Sequence, residues 1–310
     1  MLDYDSLIKK IGLEFPEIKR EIFEGALSGT HYKVFLSENF TVRFRDDNPE
    51  LLLREADFLK RLDHSLIPKV LWEGKIDNTV AMVENRLPGK TIDTVWKTLP
   101  EDNKADIVGQ VVQFLHYLQT KNTDSVYSVS TGKKYNVFWD FLTDNISSKV
   151  THIKKRNQAD VILKELLLII DESKFKNLFL DDKEKIALVH GDLIIHNLLT
   201  DGKNLTGVLD WELSLFGDSD YDLSRLFYYQ ECAKAYQEQG IDETFEADYM
   251  DKLIATILKS NLIENKKKFL EKHQFMRAIF YFNALFWATN SNDSEKDIAD
   301  LIILWNKKRD

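Results

Sequence analysis

The pattern of apolar and polar positions divides the chain into a strand-rich first part and a helical remainder. Alternating patterns typical of strands occur at residues 33–36 and 40–44. They resume at residues 70–72 and 79–83. Between the two pairs, residues 50–62 repeat apolar side chains at three- and four-residue intervals with charges on the opposite face, which predicts one amphipathic helix. The first hundred residues therefore predict a short leading helix and a small mixed β unit.

From about residue 100 onward the apolar spacing is mostly that of helices. The first such pattern covers residues 101–119 and follows Pro100, a residue suited to a first helical turn. The other helical patterns cover residues 138–153, 159–170, 221–237, 245–259, 266–288 and 293–308. Short strand patterns return at residues 186–189, 197–199 and 206–209.

Pro88 and Gly89 interrupt the strand pattern and mark the expected domain boundary. We predict an α+β protein in which residues 1–87 form a small mixed β lobe. Residues 88–310 are expected to form a larger, mainly helical lobe. Because ligands favour clefts between such units, we expect the binding site to lie between the lobes.

Composition narrows the choice of partners. The 310 residues carry a formal net charge of −9, which argues against nucleic acid and favours a cationic small molecule. No apolar run approaches the ~18–20 residues that span a bilayer, and the N-terminus has no signal-peptide pattern. The single cysteine, Cys232, cannot form an internal disulfide. We therefore expect a cytoplasmic protein, monomeric or weakly dimeric, that binds neither nucleic acid nor membrane.

One stretch carries residues typical of phosphoryl transfer. Asp192 follows an apolar segment, Asn197 comes five positions later, and Asp210 ends a further apolar run. In phosphoryl transfer one carboxylate accepts the proton of an attacking hydroxyl, while an amide and a second carboxylate hold Mg²⁺ against the nucleotide phosphates. Each of the three residues alone is also a common turn or cap residue, so the prediction depends on the set. We expect the neighbouring His190 to support this loop by hydrogen bonding.

The stretch from His190-Gly191-Asp192 to Asn197, with Asp210-Trp211 downstream, resembles the catalytic core of the aminoglycoside phosphotransferase family. These small-molecule kinases are related to protein kinases and also resemble choline, homoserine and macrolide kinases. Gly191 stands where protein kinases have an arginine. The resemblance covers most of the chain and is strongest over residues 186–226. It implies a protein-kinase-like, two-lobed fold, and transfer of the γ-phosphate of ATP or GTP to a hydroxyl.

The resemblance also implies how the nucleotide and Mg²⁺ are held. Asp192 becomes the catalytic base, and Asn197 and Asp210 become the metal ligands. The family's phosphate-binding lysine is missing from the third strand, where Arg43 is best placed to replace it, with Glu55 as its partner. The remaining residues expected to contact the nucleotide are Ser28 and Gly29 in a phosphate loop with two glycines, and Glu84 and Arg86 in the linker between lobes.

The acceptor is less strongly indicated. By the same resemblance Asp222, at the start of a helix, would brace the catalytic loop. Four acidic side chains are expected to line the acceptor site and to attract a cation: Glu212, Asp218, Asp220 and Glu231. We therefore favour an aminoglycoside acceptor, with antibiotic resistance as the outcome. A kinase of a macrolide, or of a metabolite such as choline, homoserine or a sugar, is the close alternative.

A nucleotide-binding pseudokinase without turnover is the alternative from a different class. The missing lysine is the only feature of the sequence that favours it. The presence of Asp192, Asn197 and Asp210 opposes it.

Overall fold

The structure, a computed structural model, describes residues 3–26, 32–154, 159–170, 173–180, 186–238, 246–291 and 293–306. Over these ranges the chain forms a small lobe based on a sheet and a larger lobe made mostly of helices. Within the same ranges no helix is both long and apolar enough to cross a bilayer.

The small lobe is an antiparallel five-stranded sheet with a helix on each face, and its strand order is β1-β2-β3-β5-β4. Its elements are α1 (Tyr4–Glu14), β1 (Glu24–Gly25), β2 (Lys33–Leu36), β3 (Phe40–Arg45), α2 (Pro49–Leu59), β4 (Val70–Ile76) and β5 (Thr79–Asn85). Successive residues of a strand point to opposite faces. Val42 and Phe44 of β3 accordingly pack in the core beneath α1, whereas Arg43 points towards α2 and reaches Glu55. The alternation of β3 thus places a charged residue on the face that borders the cleft.

The large lobe contains most of the helices and two small antiparallel sheets. Its helices are α3 (Ile92–Val95), α4 (Glu101–Thr120), α5 (Phe138–Ile153), α6 (Asp160–Ile170), α7 (Ser173–Leu180), α8 (Asp220–Glu238), α9 (Ala247–Lys259), α10 (Lys266–Asn290) and α11 (Ser294–Asn306). Its strands are β6 (Lys90–Thr91), β7 (Val126–Ser128), β8 (Lys134–Tyr135), β9 (Ile186–Val189), β10 (Leu198–Thr200), β11 (Leu205–Val208) and β12 (Leu215–Asp218). The sheet orders are β11-β10-β6 and β8-β7-β12-β9. The long helix α10 packs against α5, α6, α8 and α11, so it forms the centre of the helical core.

This arrangement brings three chain segments together at one edge of the large lobe. Strand β9 leads into the loop that contains Asp192, and a 3-10 turn at Ile195–Asn197 leads out of it into β10. Strand β11 ends just before Asp210, and α8 begins at Asp220. The candidate residues therefore emerge from the ends of separate, well-packed elements.

The structure confirms the α+β class and the two-lobed architecture. Residues 33–36, 138–153 and 186–189 have the predicted bounds, and other predicted elements differ by a few residues at their ends. Helices α3 and α7 and the short strands β1, β6, β7, β8 and β12 were not predicted, because segments of two to eight residues show little periodicity. The predicted helix positions 245 and 307–308 lie outside the described residues. The boundary between residues 87 and 88 stays a prediction.

Candidate active site

The loop that carries Asp192 is tied to α8 by a buried carboxylate. The backbone N–H groups of His190 and Gly191 donate to the two oxygens of Asp222, each over 2.8 Å. Burial raises the pKa of Asp222 to about 6, while these two donors stabilise its charged form. The first turn of a helix also favours a negative charge. Asp222 thus fixes the start of the loop, the position proposed for it from the sequence.

His190 connects the loop to the segment before Asp210. Its Nδ1 accepts from the Asp192 N–H over 3.2 Å, so Nε2 carries the proton and donates to the Leu209 carbonyl over 3.0 Å. The ring is fully buried and lies 4.6 Å from the Trp211 ring, centroid to centroid. Burial lowers the pKa of His190 to about 4, so the ring is neutral near pH 7. These contacts give His190 a supporting place in the loop.

The burial of neutral His190 predicts a specific dependence of stability on pH. Its pKa falls from 6.5 to about 4 on folding, so the folded state binds fewer protons between these values. The free energy of unfolding should therefore fall as pH drops through this window, by about 2–3 kcal/mol from this residue alone. His190→Gln keeps a donor and an acceptor at similar positions but does not titrate. Urea unfolding at several pH values should show a shallower acid-side loss for His190→Gln; identical losses would contradict the assignment.

Gly191 is required by the backbone at the centre of the site. Its φ angle is +85°, a conformation that L side chains rarely adopt. A Cβ atom there would lie 2.4 Å from the carbonyl oxygen of Leu213. No larger residue fits unless the loop moves away from the segment after Asp210. The close approach of these two segments explains why glycine occupies this position.

Both oxygens of the Asp192 carboxylate have partners within the large lobe. Oδ1 accepts from the Arg225 guanidinium over 3.0 Å and from the Tyr229 hydroxyl over 2.7 Å. Oδ2 accepts from Nδ2 of Asn197 over 3.1 Å, and the same amide donates to the Asp192 carbonyl over 2.9 Å. Because Nδ2 of Asn197 is used in the loop, its Oδ1 is the atom left to meet a cation.

Arg225 and Tyr229 were not identified from the sequence. They lie three and seven positions after Asp222 on α8, which puts them on the same face of the helix as the residue that braces the loop. That spacing is the signal that would have found them. The prediction instead placed Glu231 near the site. Its Oε1 lies 3.6 Å from Arg277 and 3.9 Å from His273, and Glu231 does not line the acceptor cavity described below.

Asp210 has the backbone conformation and the burial expected of a metal ligand. Its φ angle is +64°, and its Oδ1 is buried without a hydrogen-bond partner among the described residues. Burial raises the pKa of Asp210 to about 7, against the lowering effect of the nearby Arg43 charge. A buried carboxylate oxygen without a donor is costly, and a bound cation would satisfy it.

The donor set suits Mg²⁺ held jointly by protein and nucleotide. The described residues contain no cluster of three or more His, Cys, Asp or Glu side chains that could bind a metal without other ligands. Asn197 and Asp210 offer one amide and one carboxylate oxygen. Mg²⁺ commonly takes one or two such protein oxygens and completes its shell with phosphate oxygens and water. The residues therefore fit the ion.

Across the cleft, Arg43 and Glu55 form a buried ion pair. The guanidinium bonds both carboxylate oxygens, over 2.7 and 3.0 Å, and Glu55 is inaccessible to solvent. Arg43 also lies 3.8 Å from Oε2 of Glu84 and stacks 4.1 Å above the ring of Tyr32. Burial raises the pKa of Glu84 to about 7. Arg43 thus occupies the place proposed for it, surrounded by acidic groups.

Arg86 and the phosphate loop were also expected to contact the nucleotide. The N–H of Arg86 donates to the Asn39 carbonyl over 2.8 Å, and its guanidinium bonds the Ser37 carbonyl. That donor is therefore used to hold the β2–β3 turn, although Arg86 was expected to meet the purine edge. Ser28 and Gly29 lie outside the described residues. The purine contact and the phosphate loop stay predictions.

The acidic residues proposed for the acceptor site do not act as a group. Glu212 accepts from the Tyr32 hydroxyl over 2.7 Å and pairs with Arg45, so it joins the two lobes. Asp218 and Asp220 bind Nζ of Lys272, over 2.7 and 3.1 Å. Lys272 and Asp218 are almost completely buried. The expectation that Asp218 faces a cationic acceptor is therefore wrong, because its charge is used inside the core.

A cavity of about 800 Å³ lies beside the loop of Asp192, and its volume is within the range of small-molecule binding sites. It begins at Gly191 and Glu212 and continues between α5, α8, α10 and α11. Of the four acidic residues predicted for the acceptor, Glu212 lines it and the other three do not. The walls include aromatic side chains from several elements: Phe141, Tyr221, Tyr228, Tyr229, Tyr236, Phe280 and Trp287.

Known proteins share both the sequence pattern and the fold. Hygromycin-B 4-O-kinase from Escherichia coli is 36% identical over 59 residues, which is 19% of this chain and 17% of that protein. A thermostable mutant of the aminoglycoside phosphotransferase APH(4)-Ia, solved with AMP-PNP and hygromycin B, superposes with a TM-score of 0.69 at 15% identity, over 96% of this chain and 97% of that one. A choline/ethanolamine kinase family protein from Mesorhizobium loti gives 0.57 at 15% identity, over 98% and 95%.

At such low identity the solved structures show the fold alone. The profile of the phosphotransferase enzyme family, however, matches residues 23–252, which is most of the chain. That range includes the loop of Asp192, the segment of Asp210 and the brace at Asp222. The chain therefore belongs to the phosphotransferase enzyme family.

Proposed function

We propose that this enzyme moves the γ-phosphoryl group of a Mg²⁺-bound nucleoside triphosphate to a hydroxyl of a small molecule, with Asp192 as the base. The observation that carries the proposal is the joint fixation of Asp192, Asn197 and Asp210. Asn197 bonds the Asp192 carboxylate, and its carbonyl accepts from the N–H of Leu209, the residue before Asp210. These bonds fix the side chains of Asp192 and Asn197 and the backbone position from which Asp210 extends.

In this mechanism the protein acts mainly by positioning the reacting groups. Asp192, held by Arg225 and Tyr229, orients the acceptor hydroxyl and takes its proton as the oxygen attacks. Asn197 and Asp210 would hold Mg²⁺, which when bound neutralises charge on the phosphates. Arg43, fixed by Glu55, offers a positive charge on the opposite side of the cleft.

The missing lysine of the family leads to a prediction about Arg43. Arg43→Lys would replace a two-point contact with Glu55 by a single one and leave a buried carboxylate oxygen poorly satisfied. We expect the nucleotide KM to rise about tenfold, the size of a lost charge-assisted hydrogen bond. Steady-state kinetics at saturating acceptor would measure it. Arg61→Lys, at an exposed position, is the control; equal KM values in the two variants would contradict the role of Arg43.

An aminoglycoside remains one candidate acceptor. Its support is that a partly similar curated protein is a hygromycin-B kinase, and that a solved structure with the same fold contains hygromycin B. The sequence favoured a polycation because acidic residues were expected to line the acceptor site. Asp218 is instead buried with Lys272, so the negative charge available to an acceptor is smaller than expected. The aromatic walls of the cavity favour the other group of candidates, a less polar acceptor such as a macrolide. The resistance role and the cytoplasmic, monomeric or weakly dimeric state belong to the proposal.

A nucleotide-release assay that crosses ATP and GTP with hydroxyl acceptors tests the proposed function. The panel would contain kanamycin, hygromycin B, a macrolide, choline and homoserine. We expect saturable, Mg²⁺-dependent release with at least one acceptor class. Mg²⁺-dependent thermal stabilisation by nucleotide with no release under any acceptor would instead support the pseudokinase alternative.

A further inference from the structure

The cavity beside Asp192 has a different chemical character at each end. The cavity extends along helix α8. Four residues of this helix line it at helical spacing: Arg225, Tyr229, Cys232 and Tyr236. Arg225 bonds Asp192, so it marks the end where the hydroxyl reacts. Tyr236 lies eleven residues further along, or about 16 Å at the helical rise. An acceptor therefore has room for a body that extends well beyond its reacting hydroxyl.

The end near Asp192 contains a lysine without an acidic partner. Nζ of Lys149, on α5, donates to Oδ1 of Asn283 on α10 over 2.7 Å. No carboxylate among the described residues lies within 4 Å of Lys149, whereas the cavity's two arginines both have such partners. Burial, together with the positive charge of Arg225, lowers the pKa of Lys149 to about 8. Two cations thus lie close together, and one of them, Lys149, has no counter-charge among the described residues.

Helix α10 shows that Lys149 and Arg225 belong to the same end. The Arg225 guanidinium lies 5.8 Å from the ring centroid of Phe280, and Asn283, the partner of Lys149, is three residues further along α10. Residues three apart are neighbours on a helix surface. With its Oδ1 used by Lys149, the amide of Asn283 has N–H donors that bond no acceptor among the described residues and can meet a ligand. Lys149 and Asn283 together therefore offer charge and hydrogen bonds suited to an anion.

The rest of the cavity differs from this end. Its middle is walled by aromatic rings, which include Tyr228, Phe280 and the half-exposed Trp287. Asp297 and Asp300, on α11, line the far end, where their charges act on Tyr236. Along α8, Arg225 and Lys149 therefore lie at the Asp192 end, the aromatic rings in the middle and the α11 carboxylates at the far end.

We propose that the acceptor is an amphipathic hydroxylated acid. Its anionic group pairs with Lys149 and Asn283, its apolar body lies against the aromatic wall, and its hydroxyl reaches Asp192. The assignment of this ligand as the acceptor rests on the proposed function. A carboxylate, sulfate or phosphate ester would each satisfy the anion site, since all present oxygen acceptors to the lysine. A polycation, by contrast, would place an ammonium group beside Lys149 and Arg225.

Binding of an anionic aromatic dye tests the site without turnover. Anilinonaphthalene sulfonate would be titrated by fluorescence against the whole protein with AMP-PNP and Mg²⁺ present to fill the nucleotide cleft. We expect Lys149→Met to weaken binding about tenfold or more, as for loss of a charge-assisted contact. The control is Lys154→Met, which removes the same charge from the exposed end of the same helix. Equal affinities in the two variants, both with wild-type thermal midpoints, would overturn the anion site.

If Lys149→Met does not fold, Lys149→Gln removes the same charge and replaces it in the dye titration. The binding of the dye can also be compared with that of its uncharged parent, N-phenylnaphthylamine, on the folded wild-type protein. We expect the sulfonate to bind at least tenfold more tightly than the uncharged compound. Equal binding of the two would contradict the proposal.

Turnover tests whether the anion-bearing ligand is the acceptor. Phenyllactic acid and mandelic acid would each be compared with the corresponding primary amide, and with kanamycin, in the nucleotide-release assay. We expect kcat/KM to favour the acids about tenfold or more, and Lys149→Met to remove the preference. Transfer to kanamycin alone, or equal use of acid and amide, would overturn the assignment. Lys149-dependent dye binding without transfer to any hydroxyl would count against the proposed function and leave the anion site in place.

Discussion

Replacing Asp192 by asparagine is expected to lower kcat by about 10²–10⁴-fold, the range for loss of a general base. Asparagine has nearly the same shape and keeps an oxygen that can accept from Arg225 and Tyr229. It cannot take the proton of the attacking hydroxyl. Because Asp192 does not hold the nucleotide in this account, the Kd of the nucleotide should change less than twofold. Steady-state kinetics and calorimetric titration would measure the two quantities.

The matched control for this variant is Asp106→Asn, which makes the same change on an exposed face of α4. It should leave both quantities at wild-type values. Near-normal kcat in Asp192→Asn would contradict the role of Asp192. A large loss of nucleotide affinity in that variant would instead place the residue in the nucleotide site.

Asp210→Asn is expected to lower turnover and, at the same time, to raise the thermal stability of the metal-free protein. The change removes a charged ligand of Mg²⁺, so turnover should fall by about 10²–10³-fold, the scale for loss of one electrostatic contact to the transition state. It also removes a buried carboxylate oxygen that has no donor among the described residues. Without metal and nucleotide, Tm at pH 8 should therefore rise by about 2–4 °C, the shift that about 1 kcal/mol causes in a domain of this size.

Calorimetry of the metal-free protein and an assay over a range of Mg²⁺ concentrations would measure both effects of Asp210→Asn. The control is Asp124→Asn, an exposed aspartate before β7. If Asp210→Asn lowered Tm and kept its activity, the carboxylate would be a structural group, and the metal assignment would fail.

The sequence predicted well that the residues of the Asp192 loop lie together, because they are close in the chain. Asp192, Asn197 and Asp210 lie within nineteen positions, and short apolar runs between them fix strands whose ends meet. Glu55 was also predictable, since the alternation of β3 and the helical spacing of α2 place it opposite Arg43. In these cases the family resemblance named the residues, and the chain's own periodicity agrees with where they lie.

The acceptor cavity could not be predicted in the same way. Lys149, Asn283 and Arg225 come from three helices, and their proximity depends on how α5, α8 and α10 pack. Asp218 shows the opposite case. It looked like an exposed acidic residue, but Lys272, more than fifty positions away, provides its partner in the core. The function of a charged residue could therefore be predicted from the sequence only where its neighbours in space could be predicted as well.

The central claim is that Asp192 directs transfer of the γ-phosphoryl group to an acceptor oxygen. The most direct measurement follows radiolabelled γ-phosphate from the nucleotide into the acceptor, with wild-type enzyme and Asp192→Asn side by side. We predict that label enters the acceptor in a Mg²⁺-dependent reaction with the wild-type enzyme and is almost absent with the variant. Label that appears only as inorganic phosphate, at equal rates in the two proteins, would contradict the claim.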